Sequence, residues 1–380
     1  MSSRPAISIR DLSKTFSNEN VLRDVSLDVE PGELCVIMGP SGSGKSTLLQ
    51  CIAGLVDYES GTIQFDGTSA ESIPVEERDL GYVFQEFEDT LFPHKTVAEN
   101  AAFGLQQQDQ EYSQAEIQKR IDEMLELLAI SETHDDLPTD LSGGQQQRVE
   151  LARQLVRECD VMLLDDPLAD LDYKLQKRME LEIRRIHEQM GSTFVYVTHN
   201  QDQALKLADK LVILNHGRIE QIGTPEEVYA EPESAFVGQF VGDSNPFVGT
   251  ARTEGDGHAT VETQIGTMAA KTYGGRPDGG HESLTMVRPE NVAFGAGATG
   301  KDNTYEAEVV DWTYMGEETE YAFGVKGIDY TLNAIQAGTP TVTGEDVGST
   351  VPVGWDREDT LCFGTVSSTP TDTIDSIMEV

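Results

Sequence analysis

A glycine-rich segment near the N-terminus constrains the fold of this chain more than any other feature of its sequence. Residues 39–47 match the pattern GxxxxGK[ST] in full, directly after an apolar run at 34–38 and at the start of a helical pattern. Glycines at these places let backbone N–H groups turn toward a phosphate, and the helix adds its positive N-terminal end. An ordinary glycine-rich turn is the alternative, but it would not need the lysine and the helix.

The motif predicts a nucleotide triphosphate site that also holds Mg²⁺. We expect Lys45 to contact the β and γ phosphates and the Ser46 hydroxyl to bind the metal. The predicted ATP-binding residues of this loop are Gly39, Pro40, Ser41, Gly42, Ser43, Gly44, Lys45, Ser46 and Thr47.

Short apolar runs alternate with helical patterns over the first 230 residues, which is typical of a mostly parallel α/β sheet. The predicted strands are 34–38, 161–164 and 193–197, and the predicted helices are 45–53, 113–128, 146–157 and 173–189.

The amino-acid composition changes after Pro246, where glycine, threonine and valine dominate. Alternating runs at 305–310, 319–325 and 329–335 predict strands of a small all-β barrel. We therefore expect three parts: an α/β P-loop domain, a small all-β OB-like barrel and a polar tail. Their predicted ranges are 1–240, 246–367 and 368–380.

The chain is strongly acidic, with 67 acidic and 27 basic residues and a net charge of −40. Residues 1–244 hold 45 of the acids and 20 of the bases, so the excess is spread over both domains rather than collected in a tail. Such a surface repels nucleic acid and stays soluble where salt screens its self-repulsion. We expect a protein of a high-salt cytoplasm that binds no nucleic acid.

Two absences bear on where the protein acts. No apolar run approaches the roughly 18 residues that a membrane-spanning helix needs, and the first residues lack the apolar core of a signal peptide. We expect a cytoplasmic protein that reaches a membrane only through a partner. The four cysteines show no metal-ligand spacing, which predicts small buried thiols.

A second motif is more discriminating than the phosphate loop. Residues 141–148 spell Leu-Ser-Gly-Gly-Gln-Gln-Gln-Arg, and a capped helix start after a turn would also use Ser-Gly-Gly. With both motifs present in this order, the chain resembles the ATPase subunits of ABC transporters, closest to those of solute importers. The resemblance implies a pair of subunits in which each signature faces the ATP of the partner. The residues contributed in trans would be Ser142, Gly143, Gly144 and Gln145.

The same resemblance assigns roles to single residues elsewhere in the chain. Asp165 ends an apolar strand and would hold Mg²⁺, with help from Gln85 of the Q-loop. His199 would contact the γ-phosphate, and Asp172 would lie in the D-loop of the dimer interface. Phe16 stands where the family stacks an aromatic ring on adenine. Taken alone, Phe16 would be a core residue and His199 a structural histidine.

One position departs from the family pattern. The residue after the strand-end carboxylate is usually a glutamate that polarises the attacking water, but here it is Asp166, which is shorter by one methylene. A general base must come within about 2.6–3.2 Å of the water it activates. We expect Asp166 to serve as the base, with hydrolysis slower than in a glutamate enzyme unless the backbone compensates; a purely structural strand-end carboxylate is the alternative.

Three segments resemble importers rather than exporters: 91–105, 217–229 and 286–292, the last within the accessory barrel. They imply membrane permease subunits, a second ATPase subunit and, indirectly, an extracytoplasmic solute-binding protein, at the cytoplasmic face of the membrane. The stretch between Gln85 and Leu91 is about two residues longer than usual for the family. Arg288 could contact a ligand, although a structural salt bridge is the more ordinary role. The barrel could also sense a ligand.

A soluble ABC-type ATPase of translation or repair is the competing class. Its members carry two nucleotide domains or a long coiled coil, and this chain shows a single P-loop and no sustained heptads.

Overall fold

The computed structural model describes residues 4–17, 19–85, 90–106, 112–169, 171–255, 257–273, 282–340, 347–369 and 372–378. The longer stretch after Gln85 falls largely at 86–89, outside the described residues. The chain divides into two compact units, Met1–Pro225 and Glu226–Val380.

The division lies ahead of the boundary expected at 240, and hydrogen bonds explain why. Backbone N–H groups of Ala235 and Phe236 donate to the carbonyls of Thr365 and Val366, at 3.0 and 2.9 Å. These bonds attach the short helical segment after Pro225 to the C-terminal unit.

The first unit contains ten strands and six α-helices among its described residues. In chain order they are β1 (Ile7–Phe16), β2 (Glu19–Val29), β3 (Leu34–Met38), α1 (Lys45–Ala53), β4 (Ser60–Phe65), β5 (Thr68–Ser69), β6 (Leu80–Val83), α2 (Val97–Gln106), α3 (Gln114–Leu127), α4 (Gly143–Leu155), β7 (Val161–Asp165), α5 (Tyr173–Met190), β8 (Thr193–Thr198), α6 (Gln201–Leu207), β9 (Lys210–Asn215) and β10 (Arg218–Gly223).

A six-stranded sheet forms the centre of this unit, in the order β10-β9-β3-β8-β7-β6. Strands β9, β3, β8, β7 and β6 are mutually parallel, and β10 joins β9 antiparallel. Every residue of β3, β7 and β8 is buried, as expected for parallel strands covered on both faces. The three strands predicted from apolar runs are thereby confirmed, and their carboxyl ends meet at one edge of the sheet.

A second sheet of four antiparallel strands lies in the same unit, in the order β2-β1-β4-β5. Its inner side chains, such as Ile7, Ile9 and Val25, belong to the same buried core as Ile37 and Leu49. The long β1–β2 hairpin carries Val21 beside the loop that follows β3.

Local signals fix the helix ends. Helix α3 begins with a capping box, in which Ser113 accepts from the Glu116 N–H and Glu116 accepts from the Ser113 N–H. Helix α5 ends at Gly191, whose φ of 67° is easy for glycine. Helix α4 begins three residues before the predicted start at 146, because the signature itself forms its first turn.

The second unit contains the remaining elements. In chain order they are α7 (Pro225–Ala230), α8 (Ala235–Phe240), β11 (Asn245–Gly255), β12 (His258–Thr263), β13 (Gly266–Tyr273), β14 (Glu282–Val287), β15 (Ala293–Phe294), β16 (Asn303–Tyr314), β17 (Glu318–Val325), β18 (Thr331–Ala337), β19 (Thr350–Trp355), β20 (Thr360–Phe363) and α9 (Ile374–Met378).

Strands β11, β12, β13, β20 and β14 close into a barrel, which confirms the OB-like domain predicted from the sequence. Strands β15, β19, β16, β17 and β18 form a further sheet that the sequence did not distinguish from the barrel. The main core of this unit packs Phe247, Tyr321, Phe323 and Trp355, all buried.

Arg288 has a structural role, but not through the salt bridge that the sequence suggested. Its Nη1 donates to the carbonyls of Gly238, Gly242 and Asp243 at 2.9–3.1 Å, and its guanidinium lies 4.4 Å from the Tyr229 ring centre. Burial lowers the pKa of Arg288. The residue thus fastens the segment before β11 to the barrel through backbone acceptors.

The C-terminal residues described are more ordered than the polar tail expected at 368–380. Thr369 and Ile377 are buried, and Ile377 belongs to the short helix α9. The four cysteines are free and buried, as predicted. Over the described residues, none of the helices has the length and apolar character required to cross a membrane.

Candidate nucleotide-binding and catalytic site

The loop between β3 and α1 requires glycine at two places for different reasons. A Cβ on Gly39 would lie 2.0 Å from the Leu214 carbonyl oxygen, so a side chain has no room there. Gly44 has φ of 104°, and its Cβ would lie 2.7 Å from the Val21 carbonyl oxygen. The loop is therefore pressed between β9 and the β1–β2 hairpin, and its N–H groups are held in place for a ligand.

Lys45 folds back across this loop. Its Nζ donates to the carbonyls of Gly39 and Pro40, at 2.8 and 2.9 Å. Burial lowers the pKa of Lys45, while the nearby carboxylates of Asp166 and Asp165 oppose that shift. Within the described residues the buried Ser43 Oγ has no hydrogen-bond partner. A half-buried cation and an unpaired buried hydroxyl around a glycine loop fit a phosphate chain.

Oxygen ligands for a hard cation lie next to the loop. Ser46 Oγ donates to Asp165 Oδ1 at 2.9 Å, and the Tyr82 hydroxyl donates to Asp165 Oδ2 at 3.3 Å. Asp165 is 4% exposed, and burial raises its pKa although both hydrogen bonds oppose the shift. The hydroxyl and carboxylate pair is the donor set that Mg²⁺ prefers. Gln85 is exposed and follows β6, the neighbour of β7.

Asp166 follows directly, with its backbone in the left-handed region at φ 46°. Its Oδ2 lies 2.5 Å from His199 Nδ1, and its Oδ1 lies 3.3 Å from Thr198 Oγ1. The Asp166 carboxyl is buried, whereas the His199 side chain is 64% exposed. The structure thus brings Asp166 and His199 together, which sequence reasoning placed in the same site but not in contact.

Phe16 ends β1 at the tip of the β1–β2 hairpin and is 42% exposed. It is therefore not the core residue that it would be if taken alone. Lys14 Nζ lies 4.7 Å from the ring centre. An exposed aromatic ring is a surface that a purine ring can stack on.

The signature residues begin helix α4. Ser142 is the N-cap residue, and Gln145 Oε1 accepts from both its N–H and its hydroxyl, at 3.0 and 2.9 Å. Ser142 and Gly143 are exposed. Asp172 caps α5 by accepting from the Leu175 N–H, so it has a local structural role besides the predicted one. The capped helix start considered as an alternative is therefore present at α4, and it leaves the first residues of that helix exposed to solvent.

A cavity of about 1070 Å³ lies elsewhere. It is lined by Pro31, Leu80, Val161 and Thr193, which stand at or near the amino ends of the parallel strands. The phosphate loop, Asp165 and His199 all follow carboxyl ends, where open α/β sheets bind ligands. The cavity is thus a different place from the candidate site.

Sequence reasoning missed Tyr82 and Thr198, which contact Asp165 and Asp166, and Gln203, which contacts Thr198. Thr198 ends β8 beside β7, and the register pairs Asp165 with Val197. Only this cross-strand register brings the hydroxyl to Asp166, so no local sequence pattern could have revealed it.

A phosphate loop, a strand-end carboxylate beside its serine and a contacting Asp–His pair together define a P-loop ATPase site. The phosphate loop, the strand-end acids and the separate signature helix resemble those of ABC-type ATPases.

Comparisons with known proteins agree. The model of the ABC transporter family matches residues 22–169, and that of the TOBE domain matches residues 285–363. The chain is 38% identical over 364 residues to the spermidine/putrescine import ATP-binding protein PotA of Thermobifida fusca, covering 93% of this chain and 92% of that protein. It is 38% identical to PotA of Aliivibrio fischeri, covering 80% and 83%.

A solved structure of the ATP-binding cassette MJ0796, a dimer in a post-hydrolysis state bound to ADP and Pi, has a TM-score of 0.53 and 30% identity. The match covers 58% of this chain and 98% of the MJ0796 chain. The chain belongs to the family of ABC transporter ATP-binding subunits, and it is the ATPase subunit of an importer.

Proposed function

We propose that this protein supplies the ATP-driven step of polyamine import through a separate membrane permease. The observation that carries the ATPase part is the convergence of Ser46, Asp165, Asp166 and His199 at the carboxyl edge of one sheet. The polyamine part rests on relatives named for spermidine and putrescine import, which match 93% of this chain in one case. These relatives also disfavour a soluble translation or repair ATPase.

In the proposed site, Lys45 leaves its loop carbonyls for the β and γ phosphates. Ser46 and Asp165, with Gln85, would hold Mg²⁺, which supplies neutralising charge to the phosphates when bound. The purine would stack on Phe16. Burial lowers the pKa of Lys45, and its exchange of carbonyl partners for phosphate oxygens restores a strong charge-assisted bond.

Asp166 is the proposed general base. It takes a proton from the attacking water while the water oxygen bonds to the γ-phosphorus and the bond to ADP breaks, releasing phosphate. His199 Nδ1 faces Asp166, so Nε2 is the ring nitrogen left for the γ-phosphate. The left-handed backbone of Asp166 suits its short side chain, because aspartate is enriched in that region.

Two subunits are proposed to complete each site. The turn at Ser142, Gly143, Gly144 and Gln145, of which the first two residues are exposed, would approach the γ-phosphate held by the partner copy, since small residues allow a helix N-terminus to come close. Asp172 would lie at the same interface. The dimeric cassette among the similar structures supports this arrangement.

Cargo and partners are tested together by co-expression with candidate permease and solute-binding subunits, purification and reconstitution into proteoliposomes. We expect the permease to co-purify and ATP to drive spermidine uptake, with Lys45→Ala as the inactive control. Uptake of a sugar or an oxyanion instead would reject the polyamine assignment. Recovery without any integral membrane protein would reject the transporter role and the location at the cytoplasmic face.

A further inference from the structure

A buried threonine hydroxyl faces the proposed base from the neighbouring strand. Thr198 is the last residue of β8 and is fully buried, and its Oγ1 lies 3.3 Å from Asp166 Oδ1. The same hydroxyl accepts a hydrogen bond from the backbone N–H of Asn200 at 3.0 Å. That bond fixes the position of the oxygen and leaves its single proton to be donated.

Two acceptors compete for this proton. Gln203 Oε1 lies 3.1 Å from Thr198 Oγ1 and also accepts from the Tyr196 hydroxyl at 3.0 Å. A threonine hydroxyl donates one proton only. A bond to a carboxylate is roughly twice as strong as one to a neutral amide, and Gln203 Oε1 already has the tyrosine donor. The proton therefore goes to Asp166 while that carboxylate is ionised.

The other contact of Asp166 comes from a side chain with more freedom to move. The His199 side chain is 64% exposed, and in the proposed function its Nε2 also contacts the γ-phosphate. Thr198 has no such freedom, because it is enclosed in the parallel sheet between β7 and β3. The side chain of Asp166 is one methylene shorter than the glutamate usual in the family, so its direction matters more for reaching the water.

We infer that Thr198 is a positioning residue that orients the Asp166 carboxylate for catalysis. This inference rests on the proposed role of Asp166 as general base. In this role Thr198 acts through Asp166, with Gln203 as the alternative acceptor that keeps its proton paired.

The test is steady-state ATP hydrolysis by Thr198→Val, which is nearly isosteric and removes the hydroxyl. We expect kcat to fall about 10- to 100-fold, the range that a base misplaced by up to ~1 Å can cost. The KM for ATP and the affinity for a fluorescent ATP analogue should stay within about twofold, because the phosphate loop is untouched. Thr198→Ser should restore kcat, and Thr198→Ala should repeat the loss if valine prevents folding.

The matched control is Thr193→Val at the opposite end of the same strand. Thr193 is also buried, and its Oγ1 accepts from the Gly32 N–H, so its loss removes a comparable hydrogen bond far from Asp166. Thermal melts should show similar destabilisation for both variants, while only Thr198→Val loses turnover.

A double-mutant cycle with Asp166→Asn separates the inference from its basis. If Thr198 acts through Asp166, Thr198→Val should cost nothing further in the Asp166→Asn background. Full activity of Asp166→Asn would overturn the base assignment itself. A severe loss in Asp166→Asn together with normal kcat in Thr198→Val, or additive losses in the double variant, would overturn the positioning role alone.

Discussion

At the scale of single residues, the site contains two adjacent acids, Asp165 and Asp166, whose surroundings differ. Asp165 is enclosed between Ser46 and Tyr82, and burial raises its pKa. Asp166 points the other way, toward an exposed histidine. Burial thus disfavours the charged form of Asp165, as expected for a side chain that a bound cation would neutralise.

This asymmetry predicts an opposite effect of Asp165→Asn on stability and on activity. The amide removes a buried negative charge yet still accepts from Ser46 and can donate to the Tyr82 oxygen. In thermal melts at neutral pH without nucleotide, we expect the variant to unfold at a higher temperature than the parent. Hydrolysis of MgATP should fall at least about 100-fold, since metal stabilisation is worth several kcal/mol.

The control for that melt is Asp172→Asn, which alters an exposed helix cap and should not stabilise. A lower melting temperature for Asp165→Asn would mean that its hydrogen bonds as an anion outweigh the cost of burying it.

How far the sequence predicts the site depends on whether a residue acts locally. The phosphate loop and the signature were predictable because each is a continuous segment whose spacing sets its own geometry. Thr198 was not, because its contact with Asp166 depends on the register between β7 and β8. The same limit explains why the partners of Arg288 were not predicted. They are backbone carbonyls, which every residue has, so no side-chain pattern in the sequence indicates them.

At the scale of elements, helix α4 is tied to the segment that follows the Q-loop. Glu150 is fully buried, pairs with Arg153 at 2.5 Å and accepts from the Thr90 hydroxyl at 3.0 Å. Arg153 in turn donates to the Thr90 carbonyl at 2.6 Å and lies 5.6 Å from the Phe92 ring centre. Helix α4 therefore carries an ion pair, Glu150–Arg153, both members of which hydrogen-bond to Thr90 in the segment that follows the Q-loop.

Removing one member of this pair should be costly. We expect Glu150→Ala to lower the free energy of unfolding by about 3–5 kcal/mol, because it leaves the Arg153 charge buried without its partner. Chemical denaturation measures the difference. The matched control is Glu123→Ala, whose partner Lys119 is exposed, and which should cost under about 0.5 kcal/mol. Equal effects of the two substitutions would contradict the prediction.

The element boundaries also show what periodicity can and cannot supply. Helix α1 has the bounds predicted from the sequence, because the phosphate loop fixes its start and Gly54 fixes its end. The division between units did not follow composition. The change in amino-acid composition at Pro246 coincides with the first barrel strand, β11. The division into two compact units comes earlier, after Pro225.

At the scale of the whole molecule, the dominant property is the net charge of −40, spread over both units. We propose that the protein is adapted to a high-salt cytoplasm, where the Debye length is only about 3 Å at 1 M ionic strength. Only 27 basic residues are available to neutralise 67 acidic ones, so dilute buffer leaves much self-repulsion unscreened.

The melting temperature should therefore rise when KCl is increased from about 0.1 to about 3 M, by roughly 2–4 °C for each kcal/mol of repulsion removed. An uncharged osmolyte at matched osmolarity controls for general exclusion effects and should stabilise less. A melting temperature that falls in molar KCl would reject the adaptation.

The guanidinium of Arg288 has a practical bearing on any attempt to isolate the ATPase from its C-terminal unit. Its hydrogen bonds to the carbonyls of Gly238, Gly242 and Asp243 make residues 238–243 a fixed part of the C-terminal unit rather than a flexible linker. A truncated protein ending at Asp243 would retain Phe236 and Val237 stripped of their covering and prone to aggregate. A truncated protein ending at Pro225 would instead end at the boundary between the two compact units.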